Sequence, residues 1–184
     1  MPTSPTSPAP SPPDPVRIRS TPPPPIPRRI TTTIVAGSSQ WNGSFFEGTG
    51  TLSTETTETI RTAPYTFASR FEGAPGAIPE ELLVTGHAGC YNHALANIAR
   101  KNGVAVQSIH TTAQLTMGTD DQGSDGHGYS VEGIHLIVAA DMPGITDEKF
   151  QQIADDARKL CSISKILRVP ITMHATRVAQ PANN

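Results

Sequence analysis

"PEELLVTGHAGCYNHALANIARK", residues Pro79–Lys101, carries helix signals at both of its ends. A proline followed by two glutamates suits the positive end of a helix dipole, and Arg100 and Lys101 before Gly103 suit the negative end. Residues 82–99 carry no acidic or basic charge. We therefore predict a helix covered on nearly every side, whose internal polar residues argue against a membrane span.

The segments ahead of this helix predict three or four consecutive antiparallel strands. The Asn42-Gly43 pair and the glycines of residues 48–50 are typical of hairpin turns. Residues 31–37 are rich in β-branched side chains, and residues 63–73 alternate in polarity, so we expect both to be extended.

The segments behind the helix complete an α+β fold. Residues 104–118 and 128–142 predict long strands joined by a polar, glycine-rich loop. Residues 146–161 begin with a threonine cap and carry apolar side chains at helical spacing, so Cys161 should lie near the C-terminal end of a second helix. Residues 171–178 predict a last strand.

The distribution of prolines predicts a disordered N-terminal tail followed by one folded domain. Of the 18 prolines, 12 lie in residues 1–27, which cannot form a helix or a packed core. We expect residues 1–30 to be a disordered tail and residues 31–184 to be one folded domain. The four arginines of the tail, with its serines and threonines, loosely resemble an organelle transit peptide, although the proline density opposes the amphipathic helix of such peptides.

Charge and cysteine content narrow the class of protein. The net charge is −2 and the basic residues are scattered, so we expect no nucleic-acid or membrane partner and a small molecule as the ligand. The chain has only two cysteines and no apolar run long enough to span a bilayer. The simplest prediction is a cytoplasmic protein, with a mitochondrial one as the alternative.

The central segment does not have the geometry of a metal site. On a helix His87 and His93 would lie about 9 Å apart along the axis and about 120° apart around it, with Cys90 between them. One zinc ion cannot be bound that way. We expect the histidines to pack near a pocket wall with a ring nitrogen hydrogen-bonded, and the ordinary interpretation of the cysteine is a small buried side chain.

If Cys90 is reactive, its thiolate needs a cation from another element. It lies too far from the helix N-terminus for the helix dipole to lower its pKa. Arg70, which we place on a strand end, is the nearest basic candidate in sequence. Glu80, nearly three turns earlier on the helix, is placed to orient Arg70 through a two-point ion pair.

The motifs of this region resemble the OsmC family, relatives of the organic hydroperoxide resistance proteins. The family pattern runs R-F-E-G, P-E-E-L and H-A-A-C-F, and this chain has "RFEG", "PEEL" and "HAGCY" in that order. The later "CSIS" is similar to the family's C-P-V-S motif, with Ser162 in place of the proline. The resemblance covers roughly residues 41–178 and includes both cysteine positions.

This resemblance implies a fold, an activity and a set of site residues. The implied fold has antiparallel sheets around a buried helix and forms an intertwined homodimer with active sites at the subunit interface. Cys90 would be the peroxidatic cysteine, Cys161 the resolving cysteine, and Arg70 with Glu80 the pair that holds the thiolate. The implied activity is thiol-dependent reduction of organic hydroperoxides and hydrogen peroxide in the response to oxidative or osmotic stress.

The implied peroxidase needs a reductant but no cofactor. Sulfur carries both electrons, so neither metal, flavin nor haem is expected, and a lipoyl group or a thioredoxin-like protein would supply the thiols. Two alternatives stay open at this point. The same cysteines would serve a non-catalytic redox sensor or a structural disulfide, and the same pocket would serve a ligand-binding module.

Overall fold

The computed structural model describes residues 33–120 and 128–178, and these form an α+β fold as predicted. The predicted tail, residues 1–30, and residues 121–127 of the glycine-rich loop lie outside the described residues, so the domain boundary near residue 30 stays a prediction. The elements in chain order are β1 Gly37–Asn42, β2 Thr49–Thr54, β3 Ala63–Thr66, α1 Phe67–Phe71, α2 Pro79–Lys101, β4 Ser108–Asp120, β5 Gly128–Asp141, α3 Asp147–Leu160, α4 Ser162–Ile166 and β6 Ile171–Arg177.

The first sheet is an antiparallel set of three strands in the order β1-β2-β3. The turn after β1 contains Gly43 at a φ of 98°, a conformation that favours glycine, so the hairpin predicted at Asn42-Gly43 is confirmed. The second turn signal, at residues 48–50, is wrong, because Thr49 and Gly50 belong to β2 and Gly50 pairs with Trp41. Residues 33–36, which were expected to be extended, form no helix or strand. The strand begins only at Gly37.

The strand predicted over residues 63–73 is wrong in its second half. β3 ends at Thr66, and α1 follows it directly. The cause is a capping box, in which the side chains of Thr66 and Ser69 each accept a hydrogen bond from the other residue's backbone N–H. Arg70 therefore lies on a short helix and not on a strand end.

The second sheet contains β4, β5 and β6 in that order. β4 and β5 are antiparallel, whereas β6 is parallel to β5, so this sheet is mixed and not antiparallel throughout. The parallel pairing arises because α3 and α4 form a crossover between β5 and β6. Ile134, Leu136 and Val138 of β5 are buried on one face, as their alternation predicted.

The core lies between the second sheet, α2 and α3. From α3 it takes Phe150, Ile153, Ala154 and Ala157, and from α2 it takes Tyr91, whose hydroxyl donates to the carbonyl of Ala154 at 3.3 Å. The predicted apolar face of α3 is thus confirmed except for its last residue, Leu160, which is half exposed. In the part of the chain that the structure describes, no helix is long and apolar enough to cross a bilayer.

The prediction that α2 is covered on nearly every side is wrong for a single chain. Its start at Pro79 and its end at Lys101 are confirmed. Its buried residues, however, fall on one face, because the sheet and α3 cover only that side: Val84, His87, Tyr91, Leu95, Ile98 and Ala99. Outside that face Leu83, Thr85, Gly86 and Gly89 are exposed, and none of them carries a charge.

Candidate active site

The structure brings the two cysteines together although they are 71 residues apart. Cys90 is half-buried in the middle of α2, and Cys161 is buried at the junction of α3 and α4. Cys161 leaves the helical conformation with a ψ of 127°, so α3 ends there and α4 begins directly after it. Both thiols are free, and the Cys161 sulfur donates to the Cys90 sulfur at 3.2 Å.

The surroundings of Cys90 favour its thiolate. Burial raises the pKa of this thiol, but hydrogen bonds from the backbone N–H of Ile163, the Cys161 thiol, and the hydroxyl and N–H of Ser162 together outweigh it. The net effect lowers the pKa of Cys90 below its ordinary value. The sequence predicted a cation beside Cys90 and did not predict the hydrogen-bond donors on α4. Ser162, which stands where the family motif has proline, was the residue that could have indicated them.

Arg70 and Glu80 form the ion pair that the sequence predicted. Arg70 Nε donates to Glu80 Oε2 at 3.3 Å, and Nη2 donates to the other carboxylate oxygen. The guanidinium carbon also lies 4.8 Å from the centre of the Phe71 ring, a cation–π contact. The side chains of Arg70 and Glu80 are 27% and 17% exposed. The pair is therefore only partly buried, and a ligand can reach it from solvent.

The two pairs do not meet within one chain. Ten residues of α2 separate Glu80 from Cys90, which is about 15 Å along the helix axis. Among the described residues, the groups that set the pKa of Cys90 belong to the junction of α3 with α4, and Arg70 is not one of them. The role of Arg70 toward the thiolate therefore stays a prediction.

A cavity of about 260 Å³ lies beside Arg70. Sequence reasoning did not find it, although six of the nine aromatic residues fall within residues 41–71. The rings of Phe45, Phe46, Phe67 and Phe71 form a connected cluster that continues to Tyr129, which stacks on Phe71 at 4.3 Å. Trp41 and Tyr65 form a separate pair, with ring centres 5.3 Å apart. The cavity can therefore take an apolar group. It is lined by Trp41, Phe45, Tyr65, Thr66, Phe67, Arg70 and Phe71.

His87 and His93 have different surroundings. His87 is fully buried and its Nε2 lies 2.8 Å from Ser164 Oγ, as expected for a packed, hydrogen-bonded histidine. His93 is exposed, which the prediction did not expect. Burial lowers the pKa of His87, so its ring is neutral near pH 7. Within residues 33–120 and 128–178, no group of three or more His, Cys, Asp or Glu side chains is arranged to bind a metal ion.

Comparison with known proteins places these features in a family. The family model "OsmC-like protein" matches residues 72–175. Peroxiredoxin OsmC of Escherichia coli (strain K12) is 34% identical over 137 residues, which cover 74% of this chain and 92% of that protein. Organic hydroperoxide resistance protein OhrB of Bacillus subtilis (strain 168) is 31% identical over 97 residues, 53% of this chain and 66% of that protein.

Solved structures support the fold assignment. The structure of OhrB of Bacillus subtilis superimposes with a TM-score of 0.58 at 21% identity and covers 77% of this chain and 98% of that one. An OsmC-like protein from Mycoplasma pneumoniae gives a TM-score of 0.61 at 15% identity and covers 81% of this chain and 100% of that one. The predicted fold is thus confirmed at the level of a single chain.

Proposed function

The chain belongs to the OsmC-like protein family, and on this basis we propose that it is a thiol-dependent peroxidase that reduces organic hydroperoxides and hydrogen peroxide. One relative is named a peroxiredoxin and another an organic hydroperoxide resistance protein. The single observation that carries the proposal is the 3.2 Å contact between the sulfur atoms of Cys90 and Cys161, next to donors that favour a thiolate.

Cys90 begins the reaction as the attacking thiolate. Its sulfur attacks the terminal peroxide oxygen, the O–O bond breaks, and the alkoxide takes up a proton and leaves as an alcohol, or as water from hydrogen peroxide. Cys90 becomes a sulfenic acid and the peroxide is reduced by two electrons. Sulfur carries both electrons, so the proposed reaction needs neither metal, flavin nor haem.

Cys161 completes the oxidative half of the cycle. Its thiol attacks the sulfenic sulfur, a disulfide forms, and the hydroxyl leaves as water with the thiol proton. The distance between the two sulfurs is about an ångström longer than a disulfide bond of about 2.05 Å. An external dithiol, from a lipoyl group or a thioredoxin-like protein, then reduces the disulfide and is itself oxidised.

A homodimer would bring the ion pair to the thiolate. The exposed face of α2 is uncharged and includes Thr85, Gly86 and Gly89, whose small side chains allow a second helix to approach closely. In an antiparallel two-fold contact centred near Thr85 and Gly86, residue 80 of one helix lies level with residue 90 of the other. We propose that Arg70 and Glu80 act on Cys90 of the partner subunit.

Mixing two inactive variants tests this arrangement. Cys90→Ser keeps Arg70, and Arg70→Ala keeps Cys90, so a mixed dimer has one complete site if the arginine acts across the interface. Unfolding and refolding the two variants together should then restore activity toward half of the wild-type value per mixed dimer. Recovery would be absent if Arg70 acted within its own chain, and separately refolded variants serve as the control.

The aromatic cavity beside Arg70 supports an organic hydroperoxide as the substrate. Its apolar rings suit an alkyl or aryl group, and the guanidinium at its wall suits the oxygen that gains negative charge when the O–O bond breaks. The hydroperoxide would thus be held with its apolar part in the cavity and its oxygens toward the thiolate. A cytoplasmic location and a role in oxidative or osmotic stress accompany this proposal as predictions.

Peroxide consumption by wild type and by Cys90→Ser, with dithiothreitol as reductant, tests the function directly. Cumene hydroperoxide and hydrogen peroxide are compared in parallel. Wild type should turn over both and Cys90→Ser neither. If wild type forms a disulfide once but shows no turnover with any dithiol, the protein is a redox sensor. Undiminished turnover by the variant would exclude Cys90 as the reacting group.

A further inference from the structure

Helix α4 carries several groups that contact Cys90, yet burial does little to hold it in place. It has only five residues, none of them buried, and Ser162 and Ile166 are exposed. The residue before it, Cys161, makes no side-chain capping hydrogen bond to it. Ile163 lies against α2, where a Cβ added at Gly86 would be 3.9 Å from its Cδ1. Apart from Ile163, which is partly buried against the core, α4 depends on polar contacts for its position beside the thiol.

The hydrogen bond between His87 and Ser164 provides such a connection. His87 precedes Cys90 by three residues, so the two side chains lie one above the other on the same side of α2. Its Nε2 lies 2.8 Å from Ser164 Oγ, in the middle of α4. The bond therefore joins the two helices within one turn of the sulfur.

The burial of His87 indicates that its hydrogen bond to Ser164 is functionally important. Its ring is fully buried, and Nδ1 has no hydrogen-bond partner among the described residues. An unpaired buried polar atom lowers the stability of the folded state, a cost that an apolar side chain of similar volume would avoid. What the imidazole provides and an apolar residue would not is the hydrogen bond to Ser164.

We propose, resting on the proposed function, that His87 and Ser164 are positioning residues that fix α4 so that its donors face the Cys90 sulfur. Neither residue reacts with the peroxide. Among the described residues His87 makes no hydrogen bond to the Cys90 thiol, and its Nε2 is already engaged by Ser164. Loss of the bond lets α4 move away from α2, and the thiolate at Cys90 then loses part of its stabilisation.

The reactivity of Cys90 measures this effect without any peroxide. The chain has two cysteines, so in a Cys161→Ser background Cys90 is the single thiol, and its alkylation by iodoacetamide can be followed by mass from pH 6 to pH 10. The serine keeps a hydroxyl at the start of α4. The informative variants in this background are Ser164→Ala and His87→Leu, with Ser164→Thr and His87→Gln as conservative partners that retain a hydrogen-bonding group.

Ser164→Ala and His87→Leu should each shift the pH of half-maximal alkylation upward and slow alkylation at pH 7 about fivefold, the effect of one hydrogen bond. Combining them should give no further loss, because both remove the same bond. The two conservative variants should stay within about twofold of the background protein. Thr172→Val is the matched control, since Thr172 forms a histidine–hydroxyl bond of 2.7 Å with His135 on the second sheet and should change nothing.

An unchanged pH profile in Ser164→Ala would overturn the proposal, and so would an equal shift in Thr172→Val, which would indicate general loosening. His87 is fully buried, so His87→Leu carries a risk of misfolding, but Ser164 is only half-buried and its alanine variant is the decisive one. A shifted profile in a protein that consumes no peroxide would leave the positioning role standing and refute the peroxidase.

Discussion

The sulfur atom of Cys161 lies 3.2 Å from that of Cys90, and Cys161 itself is 1% exposed. In the proposed reaction, a buried thiol in contact with Cys90 should capture the sulfenic acid of that residue before a solvent reagent reaches it. With one equivalent of cumene hydroperoxide and excess dimedone, wild type should form the disulfide and little dimedone adduct. Cys161→Ser should form the adduct at Cys90 in most molecules. Intact-protein mass spectrometry separates the products, and an equal adduct yield in both proteins would rule out Cys161 as the resolving residue.

Ser162 should lower the pKa of Cys90 through two donors that a proline lacks. Its hydroxyl and its N–H both bond to the thiol, and these bonds favour the thiolate. In wild type, alkylation of Cys90 should be half-maximal at a lower pH than alkylation of an unperturbed cysteine thiol. Ser162→Ala should raise that pH, and Ser162→Pro should raise it further because the N–H is lost as well.

Proline is a fair test at position 162 because this residue is the first of α4, where proline fits a helix. Ile166→Ala, at an exposed residue of the same helix, is the control. The interpretation fails if both Ser162 variants titrate as wild type does.

The main elements could be predicted from the sequence because their signals are local. The start of α2 at Pro79 and the cap of α3 at Thr146 depend on residues that are neighbours in the chain, and both are as expected. The α1 helix was missed since the alternation through residues 63–73 resembles a strand, and the capping pair of Thr66 and Ser69 outweighs it.

The site was only half predictable for a related reason. Arg70 and Glu80 are ten residues apart, and their pairing could be anticipated from a short segment. The contacts of Cys90 with α4 join residues more than seventy positions apart, and they depend on how α3 packs on α2. The uncharged residues 82–99 predicted that α2 is covered on nearly every side. Within one chain only one face of α2 is buried.

Arg70 should contribute to the chemical step through its shape as well as its charge. Its fork makes two bonds to Glu80 while the plane packs on Phe71, an arrangement that a lysine cannot reproduce. Removing such a preorganised donor typically lowers kcat about 10²–10³-fold. Arg70→Ala should show that loss of kcat with cumene hydroperoxide. Arg70→Lys should regain less than a tenth of the kcat that Arg70→Ala loses. Arg61→Ala is the control, because Arg61 pairs with Glu58 on an exposed loop.

Steady-state kinetics with saturating dithiol measures both variants. Wild-type kcat in Arg70→Ala, with folding verified by circular dichroism, would show that the ion pair serves structure alone.

His87 should make the folded protein less stable below about pH 6.5. Burial lowers the pKa of His87, so the folded state binds its proton only at a lower pH than the unfolded chain, whose imidazole titrates near 6.5. As pH falls through that value the unfolded state takes up the proton first, and the free energy of unfolding drops by at most about 1.4 kcal/mol per pH unit.

Urea unfolding of wild type and His87→Gln at pH 7.5, 6.5 and 5.5 checks this. The variant should lose less stability than wild type between pH 6.5 and 5.5, whereas His93→Gln, on the exposed face of the same helix, should follow wild type. Parallel curves for wild type and His87→Gln would contradict the assignment.

Phe45 should select organic hydroperoxides over hydrogen peroxide, whereas its neighbour Phe46 should not. Both rings are more than half exposed and both contact Phe67, but only Phe45 lines the cavity beside Arg70. Truncating the cavity wall removes apolar contact with the organic group, so Phe45→Ala should lower kcat/KM for cumene hydroperoxide about tenfold. Hydrogen peroxide has no organic group to place there, and its kcat/KM should change less than twofold.

The adjacent substitution Phe46→Ala removes the same kind of side chain from the same cluster and should leave kcat/KM for both substrates unchanged. Equal losses for the two substrates in Phe45→Ala would mean that the ring supports the fold of α1 and not the binding of substrate.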